Sequence, residues 1–296
     1  MRLLWHTICF KAERGQGEAL HDYLPPPLVN TNDLVFKAPY QGGGRVNQSA
    51  FLKGDIIVKL SYDLHIHSCL SPCGDEDMLP SNIVGMAALK GLDVIAVTDH
   101  NACGNCPAVM KLAEAYGVTA IPGMELTTEE EVHVVCLFPE LDRAMAFGEH
   151  VRENMMPLAN DEDTFGRQLI VNEDDEIIGK EPYLLINATR ISFDKVYDDV
   201  TKYGGIMIPA HIDKSSTSLL SNLGFIPPDS RFTCAEVKHL GFLDKLKNDH
   251  AYLNGCKIIH DSDAHYLEDI HEPEYFIEAE SKDLRDILTA LNGSCP

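Results

Sequence analysis

Val58-Lys59-Leu60-Ser61-Tyr62-Asp63-Leu64-His65-Ile66-His67 is where the chain changes character. Upstream, residues 1–57 carry Pro25-Pro26-Pro27 and Gly42-Gly43-Gly44 and keep no sustained apolar period, the composition of an irregular or disordered N-terminal extension. The alternative, a working chain that starts near Val58, is decided by mass spectrometry of the protein from its native source. From Val58 onward, short apolar strands alternate with amphipathic helices: strand 58–66, helix 80–90, strand 93–98, helix 104–116, strands 118–122 and 132–138, and helix 140–153. An acidic, irregular insertion near 157–190 follows, then helix 192–203, strands 205–210 and 233–237, helix 240–248, strands 256–260 and 275–279, and helix 282–291. This alternation predicts βα units around a mainly parallel sheet, an α/β class whose active sites lie at the C-terminal ends of the strands.

Several of these strands end in metal-type side chains: Leu64-His65-Ile66-His67, Val97-Thr98-Asp99-His100, Gly123-Met124-Glu125 and Ile208-Pro209-Ala210-His211. On an extended strand His65 and His67 project to one face, roughly 7 Å apart at Cα, close enough to share a metal centre. Taken alone, His-X-His is equally the pattern of two solvent-facing strand histidines. Asp261, Asp263 and His265 fall on one side if the backbone after strand 256–260 stays extended. Burying such groups unpaired costs on the order of several kcal/mol each, whereas coordination satisfies their lone pairs and charge.

The ordered motifs resemble the polymerase and histidinol phosphatase (PHP) superfamily over about residues 60–270. The resemblance implies a distorted seven-stranded (β/α) barrel with a metal site at the C-terminal ends of the strands, residues 58–296 forming one metallohydrolase domain. It implies nine ligands: His65, His67, Asp75, His100, Glu125, His133, His211, Asp263 and His265. Asp75 stands five residues before Pro80, as the first motif requires, but the loop Ser71-Pro72-Cys73-Gly74-Asp75-Glu76-Asp77 is longer than usual and leaves Asp77 a rival. The set resembles the trinuclear version of the site, with Glu125 as bridge and two or three divalent cations per chain. Imidazole and carboxylate donors without a thiolate suit manganese, zinc or iron and do not exclude magnesium. Asp99 and Asp261 are expected behind the ligands, accepting hydrogen bonds that orient histidines. His239 joins them as a candidate catalytic group, and Arg190, Lys214 and Arg231 are candidate substrate contacts.

Three divalent cations bring about +6 and three carboxylates return −3, a cationic pocket in a chain of net charge −22. An anionic substrate is therefore expected: a phosphomonoester of a small molecule or nucleotide, or the terminal nucleotide of a short oligonucleotide. The expected nucleophile is a metal-bound hydroxide, because coordination lowers the pKa of water from about 15.7 toward about 7. Carbon–nitrogen hydrolysis on the same site, or a non-catalytic metal-sensing module, are the alternatives. The acidic surface argues against a long nucleic-acid footprint, since such binding needs clustered Lys and Arg. The longest apolar stretches are strand-sized, which argues against membrane segments and export. Nine cysteines, an odd number, read as reduced cytoplasmic thiols. Cys103-Gly104-Asn105-Cys106 lacks a matching second pair and reads as an ordinary helix start, and Cys69 and Cys73 read as small loop thiols. His6, His21, His150, His250 and His271 fall outside the motifs and read as surface residues.

Overall fold

The computed structural model describes residues 57–293, so the expectation for 1–57 lies, Ile57 apart, outside the described residues. Strand β1 (Val58–Ile66) and helix α1 (Pro80–Lys90) keep their expected bounds. Pro80 begins α1, where its missing N–H has no partner to lose, and Gly91 ends it in the left-handed region at φ 81°. Next come β2 (Val94–Val97), α2 (Cys106–Tyr116), β3 (Thr119–Ala120), β4 (Gly123–Thr127) and β5 (His133–Leu137). The sequence reading ran one strand over 118–122 and missed β4. Pro122 interrupts the chain there, and at Gly123, where a Cβ would come 2.5 Å from the Cys136 carbonyl oxygen, a new strand pairs closely with β5.

The remaining elements are α3 (Leu141–Asn154), α4 (Glu162–Phe165), β6 (Leu169–Val171), β7 (Ile177–Lys180), α5 (Phe193–Lys202), β8 (Ile206–Pro209), α6 (Leu219–Leu223), β9 (Cys234–Glu236), α7 (Leu243–Asp249), β10 (Lys257–Ile259), β11 (Phe276–Ala279) and α8 (Leu284–Asn292). The fold is α/β, with sheets of order β11-β1-β2-β3, β4-β5-β8, β9-β10 and β6-β7. Pairing is mixed rather than mainly parallel: β1–β2, β2–β3 and β9–β10 are parallel, the others antiparallel. The short connection 128–132 explains this for β4 and β5, because parallel neighbours need a crossover of a dozen or so residues. Single bridges, Ile66 to Ala264 and His100 to Glu125, and the Ile212 N–H donated to the Glu236 carbonyl at 2.9 Å, link one sheet to the next. These links, not a continuous seven-stranded ladder, join the sheets.

Alternate residues of the strands serve opposite sides. Leu60, Leu64, Val94, Val135 and Ile208 share one buried apolar cluster, while Ile95 and Val97 meet Ile83, Val84 and Val109 of α1 and α2. Val134 and Cys136 meet Phe147, Val196 and Val200 of α3 and α5. Each fully buried aliphatic side chain contributes about 1.5–3 kcal/mol. With much of both faces apolar, many of the buried polar groups gather near strand ends and the turns after them. The acidic insertion is more regular than expected. Its Leu169 N–H donates to the Cys69 carbonyl at 2.9 Å, and Asn105 accepts from Val171 N and donates to the Leu169 carbonyl. Asn101 donates to the carbonyls of Leu185 and Asn187, so the segment folds onto the loops after β1 and β2. Among the described residues no helix is long and apolar enough to cross a membrane.

Candidate metal centre

His65 and His67 lie at the end of β1, where its register with β2 shifts between Asp63 and Ile66. His100 follows β2, Glu125 lies within β4, His133 opens β5, His211 follows β8, and Asp263 and His265 follow β10. The fold draws these eight together. Glu125 Oε1 lies 2.9 Å from His133 Nδ1, 3.1 Å from His211 Nε2 and 3.3 Å from His65 Nε2. Its Oε2 lies 3.0 Å from His100 Nδ1 and 3.4 Å from His67 Nε2. Asp263 Oδ1 stands 3.6 Å and 3.4 Å from the Nε2 atoms of His65 and His67. Donor atoms within 4.8 Å of one another form three overlapping groups: His65, His67 and Asp263; His100, Glu125 and His133; and His67, Cys73, His100 and His265.

Buried ring nitrogens that make no adequate hydrogen bond test the fit. They are His65 Nε2, His67 Nε2, His100 Nδ1, His133 Nε2 and His211 Nδ1, joined by Glu125 Oε2. So many orphaned groups in one place would be costly unless cations take up their lone pairs, and the donor types suit divalent ions. Burial and the neighbouring His265 hold the His67 imidazole well below its usual value, so it stays neutral and able to ligate. Burial opposes charge on His65 too, yet Glu125, Glu236 and Asp263 outweigh it and raise this imidazole well above normal. The carboxylates around His65 call for positive charge. Burial pushes the Glu125 carboxyl up, but the imidazoles of His133, His65 and His100 outweigh that and hold it well below the carboxylate range.

Behind the donors stand the groups that aim them. His65 Nδ1 lies 2.8 Å from Glu236 Oε2, a contact that puts the proton on Nδ1 and turns Nε2 inward. His67 Nδ1 lies 2.9 Å from Ser71 Oγ, which donates to Asp99 Oδ1 at 2.6 Å. Asp99 thus reaches a histidine through Ser71 rather than directly, and also accepts from the Ser68 N–H and hydroxyl. Asp261 accepts from the Leu64 N–H at 2.6 Å, and no histidine is among its hydrogen-bond partners. Burial first, then Glu236 and Asp63, raise its carboxyl well above normal. The expected alternation of 261, 263 and 265 fails because Asp263 turns into the left-handed region at φ 56°. His211, at φ 29°, is held in a similarly uncommon conformation. Glu236 was missed, although a carboxylate one residue from the end of predicted strand 233–237 carried a signal like that of the residues at other strand ends.

The loop after β1 differs from expectation. Asp75 Oδ1 accepts from the Asp77 N–H at 3.0 Å, and neither carboxylate belongs to the three donor groups. Cys73 does. Among the candidate substrate contacts, Lys214 reaches the site, its Nζ 2.9 Å from Asp263 Oδ2. Arg231 instead pairs with Asp198 and lies over the Tyr197 ring, beside a cavity of about 300 Å³ that none of the donors lines. Arg190 is exposed, with its N–H on the Asn154 carbonyl. His239 Nδ1 lies 2.9 Å from Asp213 Oδ2, two residues beyond His211, and its side chain is 56% exposed. Lys238 Nζ donates to the Ser262 carbonyl at 2.7 Å.

An α/β fold that gathers imidazoles and carboxylates at its strand ends defines a class of metal-site proteins. The model of the PHP domain matches residues 63–294, and the chain belongs to that family. An uncharacterized protein of Methanocaldococcus jannaschii is 33% identical over 93 residues, 28% of this chain and 54% of that protein. The 5′-3′ exoribonuclease of Haemophilus influenzae is 33% identical over 79 residues, 26% of this chain and 28% of the enzyme. Among solved structures, the lesion-specific endonuclease Q of Pyrococcus furiosus superposes with a TM-score of 0.55 at 20% identity, covering 80% of this chain and 56% of that one, a likeness of fold. The matched stretch thus spans about half the length, or less, of each of these three relatives.

Proposed function

We propose that His65, His67, His100, Glu125, His133, His211, Asp263 and His265 hold two or three divalent cations and that the protein hydrolyses phosphoesters. The observation that carries this reading is the set of buried, unpartnered ring nitrogens around Glu125. Bound cations would supply the positive charge that receives phosphate oxygens and would activate water at neutral pH. The protein's own part is positional. Glu236 fixes His65, the Asp99–Ser71 pair fixes His67, and burial keeps His67 neutral. Burial disfavours the Lys214 ammonium, but Asp263 outweighs this and raises its pKa, leaving a charged donor at the rim for a substrate phosphate. Substrates are phosphomonoesters of small molecules or nucleotides, or the terminal nucleotide of a short oligonucleotide. Two facts support this choice: the net charge of −22, and the stretch shared with the exoribonuclease.

Metal content by mass spectrometry tests the proposal, beside hydrolysis of p-nitrophenyl phosphate, 3′,5′-nucleotide bisphosphates, a short oligonucleotide and an amide panel with added manganese. Two or three metals per chain with phosphate release are expected. His65→Ala and Asp263→Ala should abolish turnover and lower bound metal, while His150→Ala should do neither. Metal without phosphate release would sink the reaction class, and no metal after reconstitution would sink the site.

A further inference from the structure

Eight histidine and carboxylate donors meet at the centre, yet one of their three groups is completed by sulfur. Cys73 Sγ lies within 4.8 Å of the donor nitrogens of His67, His100 and His265. His67 also belongs with His65 and Asp263, and His100 also belongs with Glu125 and His133. One ring nitrogen serves one cation, so the donors found in this group alone are His265 and Cys73. Without the thiol, a cation here would have only His265 to itself. Two imidazoles of this group also carry a buried ring nitrogen that makes no adequate hydrogen bond, Nε2 of His67 and Nδ1 of His100, as expected beside a cation site. His265 is aimed by its own turn, its Nδ1 2.7 Å from the Asp263 carbonyl oxygen.

The loop is built to bring the sulfur in. Ser71 is held by Asp99, and the Gly74 N–H donates to the Ser71 carbonyl at 3.0 Å. A Cβ on Gly74 would stand 2.3 Å from the Ser68 carbonyl oxygen, so the chain doubles back there as only glycine allows. The Asp75 N–H then donates to the His265 carbonyl, tying the loop to the turn that carries the partner imidazole. One oxygen of the nearby Asp75 carboxylate, Oδ1, accepts from the Asp77 N–H, and Asp75 belongs to none of the three groups.

We infer that Cys73 is a thiolate ligand of one cation of the cluster, giving that position a sulfur and imidazole donor set. The inference rests on the cation-binding reading above. On coordination the Sγ–H proton leaves to solvent and the thiolate sulfur donates a lone pair to the cation. A thiolate selects zinc or iron over magnesium and manganese, so this position differs in preference from the carboxylate-rich ones.

The test is titration of metal-stripped, full-length protein with Co²⁺ under anaerobic conditions, followed by absorption spectroscopy and metal analysis. Wild type should show a thiolate-to-cobalt charge-transfer band in the near ultraviolet. Cys73→Ala and Cys73→Ser should lose the band and one cation, or bind it at least about tenfold more weakly. Cys73→Asp should lose the band, keep the cation count and shift the Zn²⁺-over-Mn²⁺ preference toward Mn²⁺. Circular dichroism of the metal-free variants separates lost ligation from lost fold. Cobalt bound by wild type with no such band, or a band unchanged in Cys73→Ala, overturns the inference and leaves the metal centre standing. Failure of wild type to bind cobalt overturns both.

Discussion

Replacing Glu236 removes the hydrogen-bond acceptor that His65 Nδ1 has among the described residues, and with it the grip that turns Nε2 inward. Glu236→Ala is expected to weaken metal binding by about 10–100-fold, read by competition with a chromophoric chelator, with Glu236→Gln milder. Ser71 stands between Asp99 and His67 in the same way, so Ser71→Ala should reproduce part of that loss. Lys214 touches substrate in this reading, and Lys214→Ala should raise KM for phosphate esters while metal content stays constant. A fall in bound metal would instead make Lys214 a structural partner of Asp263. At this scale the candidate donors were legible from short motifs, several of them at strand ends, that resemble those of the family. Glu236 and Ser71 act through side-chain contacts that join positions 171 residues apart in one case and four in the other, and only the first needs the whole fold.

Among elements, the turn after β1 is the most exacting. Gly74→Ala would force a carbon against the Ser68 carbonyl, displacing Cys73 and the tie to His265. A loss of about 1–3 kcal/mol in urea unfolding of the metal-free protein is expected, with reduced cobalt binding. At the other end of β1, Asp93 accepts from the Ser61 N–H and hydroxyl and pairs with Lys282. Burial raises its carboxyl, but Lys282 and Ser61 outweigh that and hold it below the unfolded value of 3.8. A depressed folded pKa contributes stability above the unfolded value that is lost as pH falls through the folded one. Asp93→Asn should therefore flatten the fall in urea midpoint below pH 3.8, and an unchanged acid limb would place the pH sensitivity elsewhere. Long, periodic elements such as α1 and β1 were readable from their apolar spacing. The pieces β4, β6, β7 and α4 are too short for a period, and their partners, not their own residues, make them regular.

For the molecule as a whole, a ligand that binds only the folded state stabilises it by mass action, about 4 kcal/mol at a thousandfold excess over Kd. Chelation should lower the melting temperature measured by calorimetry, and added Zn²⁺ should restore it in a concentration-dependent way. An unchanged melting temperature would count against a built metal centre. The sequence by itself determined the α/β class and the family, and its motifs named most of the side chains that the fold gathers into the candidate donor groups, because apolar periodicity and short motifs are local properties of the chain. Only the tertiary structure decided that the sheets are mixed, that Asp263 turns out of the extended line, that Glu236 rather than Asp261 hydrogen-bonds a histidine, and that Cys73 rather than Asp75 falls within the candidate donor groups. Each depends on how segments far apart in sequence approach one another, and a linear pattern holds no record of that distance.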